Sequence, residues 1–244
     1  MSRRLTPEDK ELAAHWEAAA TPGGRARLAL RFWWKRLVWR VVVGGTLALK
    51  RVLDVVVSAC ALLGLLPVFL ATALLIKLED RGPLFFRQTR VGRGGRPFGM
   101  WKFRSMVVNA DQIKDQLLAK NEMQGGVTFK MKNDPRVTRV GRFIRKYSVD
   151  ELPQFWNVLV GDMALVGPRP PVPREVAVYS VEDRQRLLAK PGLTCFWQVG
   201  GRSNIDFAGQ VRLDLAYIRS ESVWLDLKLL VQTVPAVLFG KGAF

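Results

Sequence analysis

The longest apolar stretch of the chain is residues 55–76, which holds 22 positions and no formal charge. As a helix rising about 1.5 Å per residue, the stretch is long enough to cross the roughly 30 Å hydrocarbon core of a bilayer. Pro67 lies near its middle, where proline removes one helical hydrogen bond and bends the helix axis. The pattern therefore predicts a membrane helix that is broken at Pro67.

Basic residues flank this stretch on both sides. Two precede it and four follow it: Lys50 and Arg51, then Lys77, Arg81, Arg87 and Arg90. A spanning helix would place one basic cluster outside, against the positive-inside bias, whereas a helix that enters, bends and returns keeps both inside. We therefore predict a re-entrant helix over residues 50–80, with a spanning helix as the alternative. Asp54 lies at the membrane boundary, where we expect it to pair with Lys50 one helical turn earlier.

Residues 1–49 are predicted to form an N-terminal extension. Residues 25–50 mix basic side chains with large apolar ones, as in the run Arg31-Phe32-Trp33-Trp34-Lys35. This basic amphipathic pattern is typical of helices that lie in the head-group layer of a membrane, and an ordinary surface helix is the alternative. Residues 1–24 are assigned no function.

Beyond Gly82 the pattern changes to that of a catalytic domain, predicted over residues 81–244. Residues 84–88 and 98–103 look like short strands, and the glycine-rich turn at 92–95 joins them in a hairpin. That turn could also cradle phosphate, but it lacks the sequence context of a phosphate-binding loop. A polar helix is predicted over 109–123. We expect an α+β fold that is mainly helical, with a small β element.

The last periodic segment, residues 223–238, predicts a helix with one apolar face. The residues of that face are Trp224, Leu227, Leu230, Val231, Val234 and Leu238. The spacing is compatible with a face that packs inward and with a face that turns toward lipid. The sequence therefore leaves the orientation of this helix open.

Composition adds a strong charge bias, because 38 Lys and Arg residues oppose 21 Asp and Glu residues and leave a net charge of +17. Such a chain favours anionic partners, namely phospholipid head groups, nucleic acid or phosphorylated small molecules. The basic residues share segments with Trp, Phe and Leu, which favours a membrane surface. A basic nucleic-acid-binding protein is the competing class, and the uncharged stretch counts against it.

Few residue types are available for chemistry. The two cysteines, Cys60 and Cys195, form no disulfide framework, and their spacing indicates no metal or redox site. The single histidine, His15, lies in a polar N-terminal segment away from any motif. Ser-His-Asp catalysis and histidine-rich zinc sites are therefore excluded. The chemistry must depend on carboxylates, arginine and lysine.

The segment at 142–157 is the densest candidate, because cations lead into the paired carboxylates Asp150 and Glu151. A purely structural explanation exists, in which Ser148 and Glu151 form a capping box or Asp150 caps the following helix. In the functional explanation, the helix start and Arg145 bind phosphate, and the carboxylates hold Mg²⁺ that bridges phosphate oxygens. An aspartate at this place is also a competent nucleophile for phosphorus.

Arg169 is a second candidate, because Pro168 and Pro170 bracket it. Rigid backbone on both sides would hold its guanidinium ready for a bidentate contact with phosphate. A stiff turn with a solvated arginine explains these residues equally well. The segment by itself therefore leaves both explanations open.

These motifs stand in one order, and together they resemble the bacterial sugar transferase family, the monotopic polyprenyl-phosphate phosphoglycosyl transferases. The resemblance covers roughly residues 50–240. The matching stretches are Lys50-Arg51-Val52-Leu53-Asp54, residues 82–88, Lys102-Phe103-Arg104-Ser105-Met106, residues 148–157, 161–170 and 191–194, Gln198-Val199, Gly201-Arg202, and Leu225-Asp226-Leu227-Lys228. So many motifs in the same order make a chance similarity very improbable.

The resemblance implies a two-step reaction in which Asp150 attacks the β-phosphate of a UDP-sugar, UMP leaves, and polyprenyl phosphate takes the sugar-phosphate. Glu151 would assist through metal or proton handling, so that Asp150 and Glu151 together hold Mg²⁺. The residues implied to bind substrate or phosphate, or to support the metal or nucleotide, are Arg145, Arg169, Lys102, Arg104, Asp214 and Asp226. The implied location is the cytoplasmic face of a bacterial inner membrane, with anionic phospholipid but no nucleic acid as partner, and a homodimer is left open.

The sequence departs from the family pattern in three places. Leu66 precedes Pro67 where the family often has serine, and Cys195 stands where glycine is expected. Larger relatives carry several N-terminal transmembrane helices and a regulatory domain, which do not fit into the first 50 residues. We therefore expect a minimal catalytic form. A non-catalytic membrane scaffold of the same fold is the alternative within the family.

Overall fold

The computed structural model describes residues 19–110, 134–201 and 205–238, together with Thr6, Trp16 and Gln112. Most of the polar helix predicted over 109–123 lies outside the described residues. The chain divides into two compact units, Met1–Lys50 and Arg51–Phe244. In the first unit, Phe32, Trp33 and Trp34 are exposed on a helix.

The fold is α+β and mainly helical, as predicted. The helices are α1 (Pro22–Gly64), α2 (Leu66–Asp80), α3 (Arg139–Lys146), α4 (Gln154–Val160), α5 (Pro173–Ala177), α6 (Val181–Arg184), α7 (Phe196–Gly200), α8 (Phe207–Ser220) and α9 (Val223–Leu238). The strands are β1 (Phe85–Val91), β2 (Pro97–Phe103), β3 (Ala164–Val166) and β4 (Gly192–Thr194), and short 3₁₀ turns occupy Arg93–Gly95, Val149–Glu151 and Gln185–Leu188.

Strands β1 and β2 form the predicted hairpin, with Phe85 opposite Phe103 and Val91 opposite Pro97. Gly94 and Gly95 have positive φ values, 67° and 80°, which only glycine adopts without strain. The glycine-rich segment is therefore a hairpin turn. Strand β1 continues three residues beyond its predicted end at Gln88, because backbone pairing with β2 holds its polar last residues in the sheet.

Helices α1 and α2 meet at a sharp bend. Among the described residues no single helix is long and apolar enough to cross a bilayer. The helical segments Gly44–Gly64 and Leu66–Asp80, bent by 57° at their junction, together have the length and apolar composition for it. The break falls at Leu65, and Pro67 lies in the first turn of α2, where a missing N–H is tolerated.

Two faces of α2 have different surroundings. Ile76 and Phe69 pack with Phe103 and Ile144 in one of two hydrophobic clusters formed by the described residues of the second unit. The opposite face carries large apolar side chains one turn apart that are 52–73% exposed: Leu66, Leu70, Leu74 and Leu78. One side of the helix is thus fixed to the folded unit, and the other presents an unbroken apolar stripe.

Strands β3 and β4 pair in parallel, with Ala164 opposite Gly192 and Val166 opposite Thr194. Their backbones approach so closely that a Cβ on Gly192 would lie 2.0 Å from the backbone nitrogen of Gly167. Leu165 and Val166 of β3 belong to the other hydrophobic cluster, which also contains Leu229. Both strands are short and buried, and α9 and α4 pack around them. The segments that leave β3 and β4 are therefore held side by side.

Helix α9 has the predicted bounds, and the structure decides its orientation. Trp224, Val231 and Val234 are 78%, 72% and 58% exposed, so most of the predicted apolar face points away from the core. Leu230 is an exception, since it packs against the cluster that contains Leu229. The predicted apolar face therefore included one residue too many, because Leu230 lies on the side of the helix that packs against the core.

Two side chains near the start of the second unit attach α1 to the catalytic region. The Arg51 guanidinium donates to the carbonyl oxygens of Val158 (2.6 Å) and Leu159 (2.7 Å), at the end of α4. Asp54 is buried and accepts from the Leu165 N–H at 2.9 Å. The predicted role of Asp54 beside Lys50 did not include this contact, which joins residues 111 positions apart.

Replacing Arg51 with alanine will destabilise the protein. The last carbonyls of a helix lack partners within it, and charge-assisted hydrogen bonds to them are lost, so we expect a cost of about 2 kcal/mol. The midpoint of thermal unfolding in detergent should fall by about 5 °C. Arg142→Ala removes the same charge from an exposed position on α3 and is the matched control. Equal midpoints for the two variants would show that the Arg51 contacts contribute nothing.

Candidate active site

The paired carboxylates lie on a tight turn directly after α3. Ser148 adopts a left-handed conformation with a φ of 55°, and the 3₁₀ turn Val149–Glu151 follows. The Ser148 side chain makes no capping hydrogen bond. The capping box offered as a structural explanation is therefore absent, and Glu151 is directed toward cations instead.

Lys102 and Arg169 hold Glu151 from two sides. The Lys102 ammonium on β2 lies 2.7 Å from Glu151 Oε1, and Arg169 Nη2 lies 3.5 Å from the same oxygen. The three side chains come from separate parts of the chain, since Lys102 and Glu151 are 49 positions apart and Glu151 and Arg169 are 18 positions apart. The fold thus brings together three of the residues that the sequence motifs singled out.

The two carboxyl groups are in opposite electrostatic situations. Burial, reinforced by the charge of Glu151, raises the pKa of Asp150 to about 6, while Lys102 opposes that rise. Burial also disfavours ionisation of Glu151, but Lys102 and Arg169 outweigh it and hold its pKa well below the usual range. Adjacent carboxyl groups with separated pKa values are a frequent mark of a catalytic site.

Asn157 fixes the distance between the turn and strand β2. Its side-chain oxygen accepts from the Trp101 N–H at 2.9 Å, and its amide nitrogen donates to the Gly99 carbonyl at 2.8 Å. Asn157 is 1% exposed, so both bonds are shielded from water. Because Lys102 follows Trp101 and Glu151 precedes α4, this pair of hydrogen bonds aligns the lysine with the carboxylate.

A cavity of about 680 Å³ opens beside the turn. Six of the predicted site residues line it: Asp150, Glu151, Arg145, Arg169, Lys102 and Arg104. Arg104 is already ion-paired with Asp80 and is 7% exposed, so much of its charge is engaged by the protein. The cavity is nevertheless strongly cationic around one buried aspartate, which suits a phosphorylated ligand.

The structure does not bring Asp214 and Asp226 to this cavity. Asp214 is fully buried and pairs with Arg186, whose Nε lies 2.8 Å from Asp214 Oδ2. Asp226 is also buried and accepts from the Tyr217 hydroxyl at 2.7 Å. Contact with a ligand was implied for both by their place in sequence motifs, but folding turns them toward internal partners.

Sequence reasoning missed Arg90, which had been noted only as a flanking charge. Its Nη1 donates to the Pro170 carbonyl at 2.8 Å, and its Nη2 donates to Gln88 Oε1 at 2.7 Å. Burial, and then repulsion from Arg169, lower the pKa of Arg90 to about 10. Gln88 and Arg90 occupy alternate positions of one strand, and this period of two is the signal that could have placed them on one face.

The described residues contain no group of three or more acidic, histidine or cysteine side chains placed to hold a metal. Asp150 and Glu151 are two adjacent carboxylates within the cavity. Mg²⁺ commonly binds through one or two carboxylates and completes its shell with substrate phosphates and water. Two adjacent carboxylates are within the number that Mg²⁺ uses, and one oxygen of the pair, Glu151 Oε1, is already paired with Lys102.

Comparison with known proteins identifies the family. The model of the bacterial sugar transferase family matches residues 45–240. The galactosyl transferase CpsE of Streptococcus agalactiae serotype III (strain NEM316) is 49% identical over 197 residues. The undecaprenyl-phosphate galactose phosphotransferase of Salmonella typhimurium is 44% identical over 204 residues, and the exopolysaccharide production protein ExoY of Rhizobium meliloti is 38% identical over 198. The chain belongs to the bacterial sugar transferase family.

The alignments cover different fractions of the lengths of these relatives. Each alignment covers 80% of this chain. The chain spans 43% of the length of CpsE and 42% of the Salmonella phosphotransferase, but 88% of ExoY. The matched region contains every site residue discussed above, so the comparisons and the cavity concern the same part of the molecule.

Proposed function

We propose that this chain transfers a sugar-1-phosphate from a UDP-sugar to polyprenyl phosphate, specifically undecaprenyl phosphate. The products would be polyprenyl-diphospho-sugar and UMP, in the first membrane step of exopolysaccharide, O-antigen or glycoconjugate synthesis. The observation that carries the proposal is the buried Asp150 in a cationic cavity, beside the ion-paired Glu151. Two relatives support it by their names, an undecaprenyl-phosphate galactose phosphotransferase and a UDP-glucose:undecaprenyl-phosphate glucose-1-phosphate transferase.

In the first step, the Asp150 carboxylate attacks the β-phosphorus of the UDP-sugar. An aspartyl O–P bond forms, the bond between the β-phosphorus and the bridging oxygen breaks, and UMP leaves with that oxygen and its electron pair. In the second step, an oxygen of polyprenyl phosphate attacks the same phosphorus and displaces the Asp150 carboxylate. No proton needs to leave either nucleophile, which fits a site without a histidine among its lining residues.

The cations around the turn supply what phosphoryl transfer requires, because charge gathers on the transferred group and on the leaving UMP. Lys102 and Arg169 are already oriented by Glu151, and Arg145 lines the cavity beside Asp150. When bound at Asp150 and Glu151, Mg²⁺ would neutralise phosphate charge in addition. Glu151 thus keeps the cations in place and leaves Asp150 as the group that attacks.

The bent pair α1 and α2 is proposed to enter the cytoplasmic leaflet of the inner membrane and return. The exposed apolar stripe of α2 and the basic residues on both flanks support this placement. The exposed face of α9 and the aromatic residues of the N-terminal extension suit the head-group layer of anionic phospholipid. A lipid substrate would then reach the cavity from the membrane.

Activity will depend on the charge of Asp150. Its pKa is raised to about 6, and only the carboxylate attacks, so the rate should rise with pH and reach its plateau above that value. Below the pKa we expect the rate to fall about tenfold for each pH unit. UMP release measured from about pH 4.5 to 8.5 checks this, and a rate independent of pH below 6 would contradict the role of Asp150.

Intact-protein mass spectrometry tests the proposal directly. The purified protein is mixed with Mg²⁺ and each of several UDP-sugars, without a lipid acceptor. We expect a mass increase of one sugar-phosphate with the correct donor, and its disappearance when undecaprenyl phosphate is added. The absence of both the adduct and UMP release with every donor would support the non-catalytic scaffold instead.

A further inference from the structure

Arg169 is held only loosely by the carboxylate that it faces. The distance from its Nη2 to Glu151 Oε1 is 3.5 Å, and the arginine side chain is 34% exposed. On another side, the Arg169 guanidinium carbon lies 5.9 Å from the centre of the Trp197 ring, within the range of a cation–π contact. A planar guanidinium needs a fixed orientation to bind phosphate with two donors, so the indole is a candidate for providing it.

The strand register explains why these two residues meet. Val166 on β3 pairs with Thr194 on the parallel strand β4. Arg169 and Trp197 each lie three residues beyond these partners, at the same edge of the small sheet. Trp197 is 8% exposed and lines the cavity together with Arg169. The indole is therefore part of the cavity wall rather than a surface side chain.

Helix α8, which carries Asp214, packs against α7, which carries Trp197. Arg186 pairs with Asp214 and also donates to the Tyr179 hydroxyl at 3.1 Å, and its guanidinium carbon lies 5.8 Å from the centre of the Tyr179 ring and 5.7 Å from that of Phe207. The second oxygen of Asp214 and the indole N–H of Trp197 are both buried without a hydrogen bond of ordinary geometry.

We propose that Trp197 is a positioning residue for Arg169, with its ring face directing the guanidinium toward the phosphate site. This inference rests on the proposed function, because Arg169 is taken to contact the transferred phosphate. A small displacement of a phosphate-binding group is sufficient to slow catalysis, so the effect should appear in the rate.

The first test is a double-mutant cycle followed by UMP release. Trp197→Leu should lower kcat/KM about tenfold, and Trp197→Phe, which keeps an aromatic face, about threefold. In an Arg169→Ala background, Trp197→Leu should add less than about a twofold loss, because the residue on which it acts is gone. Trp156→Leu, which removes a half-exposed tryptophan outside the cavity lining, is the matched control and should leave the rate unchanged. A full additional loss in the Arg169→Ala background would overturn the proposal.

The second test does not depend on activity. In protein labelled with ¹⁵N-arginine, the Nε–H resonance of Arg169 is assigned by its loss in Arg169→Lys. The ring current of Trp197 should displace this resonance, and Trp197→Leu should abolish the displacement, whereas Trp156→Leu should not. An Arg169 resonance that is the same in the wild type and in Trp197→Leu would refute the contact. Wild-type protein that shows the displacement but releases no UMP would refute the proposed function alone.

Discussion

Asp150→Asn will abolish the exchange of labelled UMP into the UDP-sugar, and turnover with the lipid acceptor will fall at least about a thousandfold. Asparagine matches aspartate in shape but cannot form the aspartyl-phosphate bond. The exchange needs no acceptor, because UMP released in the first step can return and reverse it. Its measurement therefore reports the covalent step by itself.

A carboxylate far from the cavity serves as the control for Asp150. Glu182 is exposed at the start of α6 and does not line the cavity. Glu182→Gln should leave both the exchange and the turnover within about twofold of the wild type. If Asp150→Asn retained the exchange, direct transfer between two bound substrates would replace the covalent mechanism.

Lys102→Met will shift the pH dependence upward and lower the rate at neutral pH by about a hundredfold. The ammonium of Lys102 is the largest influence that opposes the rise in the pKa of Asp150, so its removal raises that pKa above about 6. A larger fraction of Asp150 is then protonated at pH 7 and cannot attack. Methionine keeps most of the volume of the buried side chain, so packing changes little.

The pH profile distinguishes this effect from simple damage. In Lys102→Met the lost activity should return in part as the pH is raised, whereas misfolded protein would stay inactive at every pH. Glu151→Gln provides the opposite shift, because the charge of Glu151 raises the pKa of Asp150 and its removal lowers it. Profiles of both variants with an unchanged midpoint would show that Asp150 is not the titrating group.

Local patterns predicted several elements well. Helix α9 begins and ends where its 3.6-residue period does, and the hairpin of β1 and β2 turns at the predicted glycines. The interruption near Pro67 is present as a 57° bend. Each of these features depends on residues close together in the chain, so the intrinsic preferences of a short segment are sufficient to specify it.

Local patterns could not predict the side-chain contacts that join distant segments of the chain. The contacts of Arg51 with Val158 and Leu159 span more than 100 positions, and nothing near Arg51 in the sequence marks them. The same holds for Trp197, whose neighbour Arg169 is defined only by the pairing of β3 with β4. Charged and aromatic side chains find such partners after docking, when burial makes an unpaired polar group costly.

The sequence by itself determined the types of the main elements. It also singled out the acidic pair Asp150 and Glu151 and the arginine that two prolines flank, Arg169, because these features depend on neighbouring residues and on motif order. Only the tertiary structure decided that Glu151 is neutralised by Lys102 while Asp150 stays buried beside it. It also decided that the Asp214 carboxylate pairs with Arg186. The physical reason is that burial and pairing set the charge of a carboxylate, and both arise only when distant segments pack together.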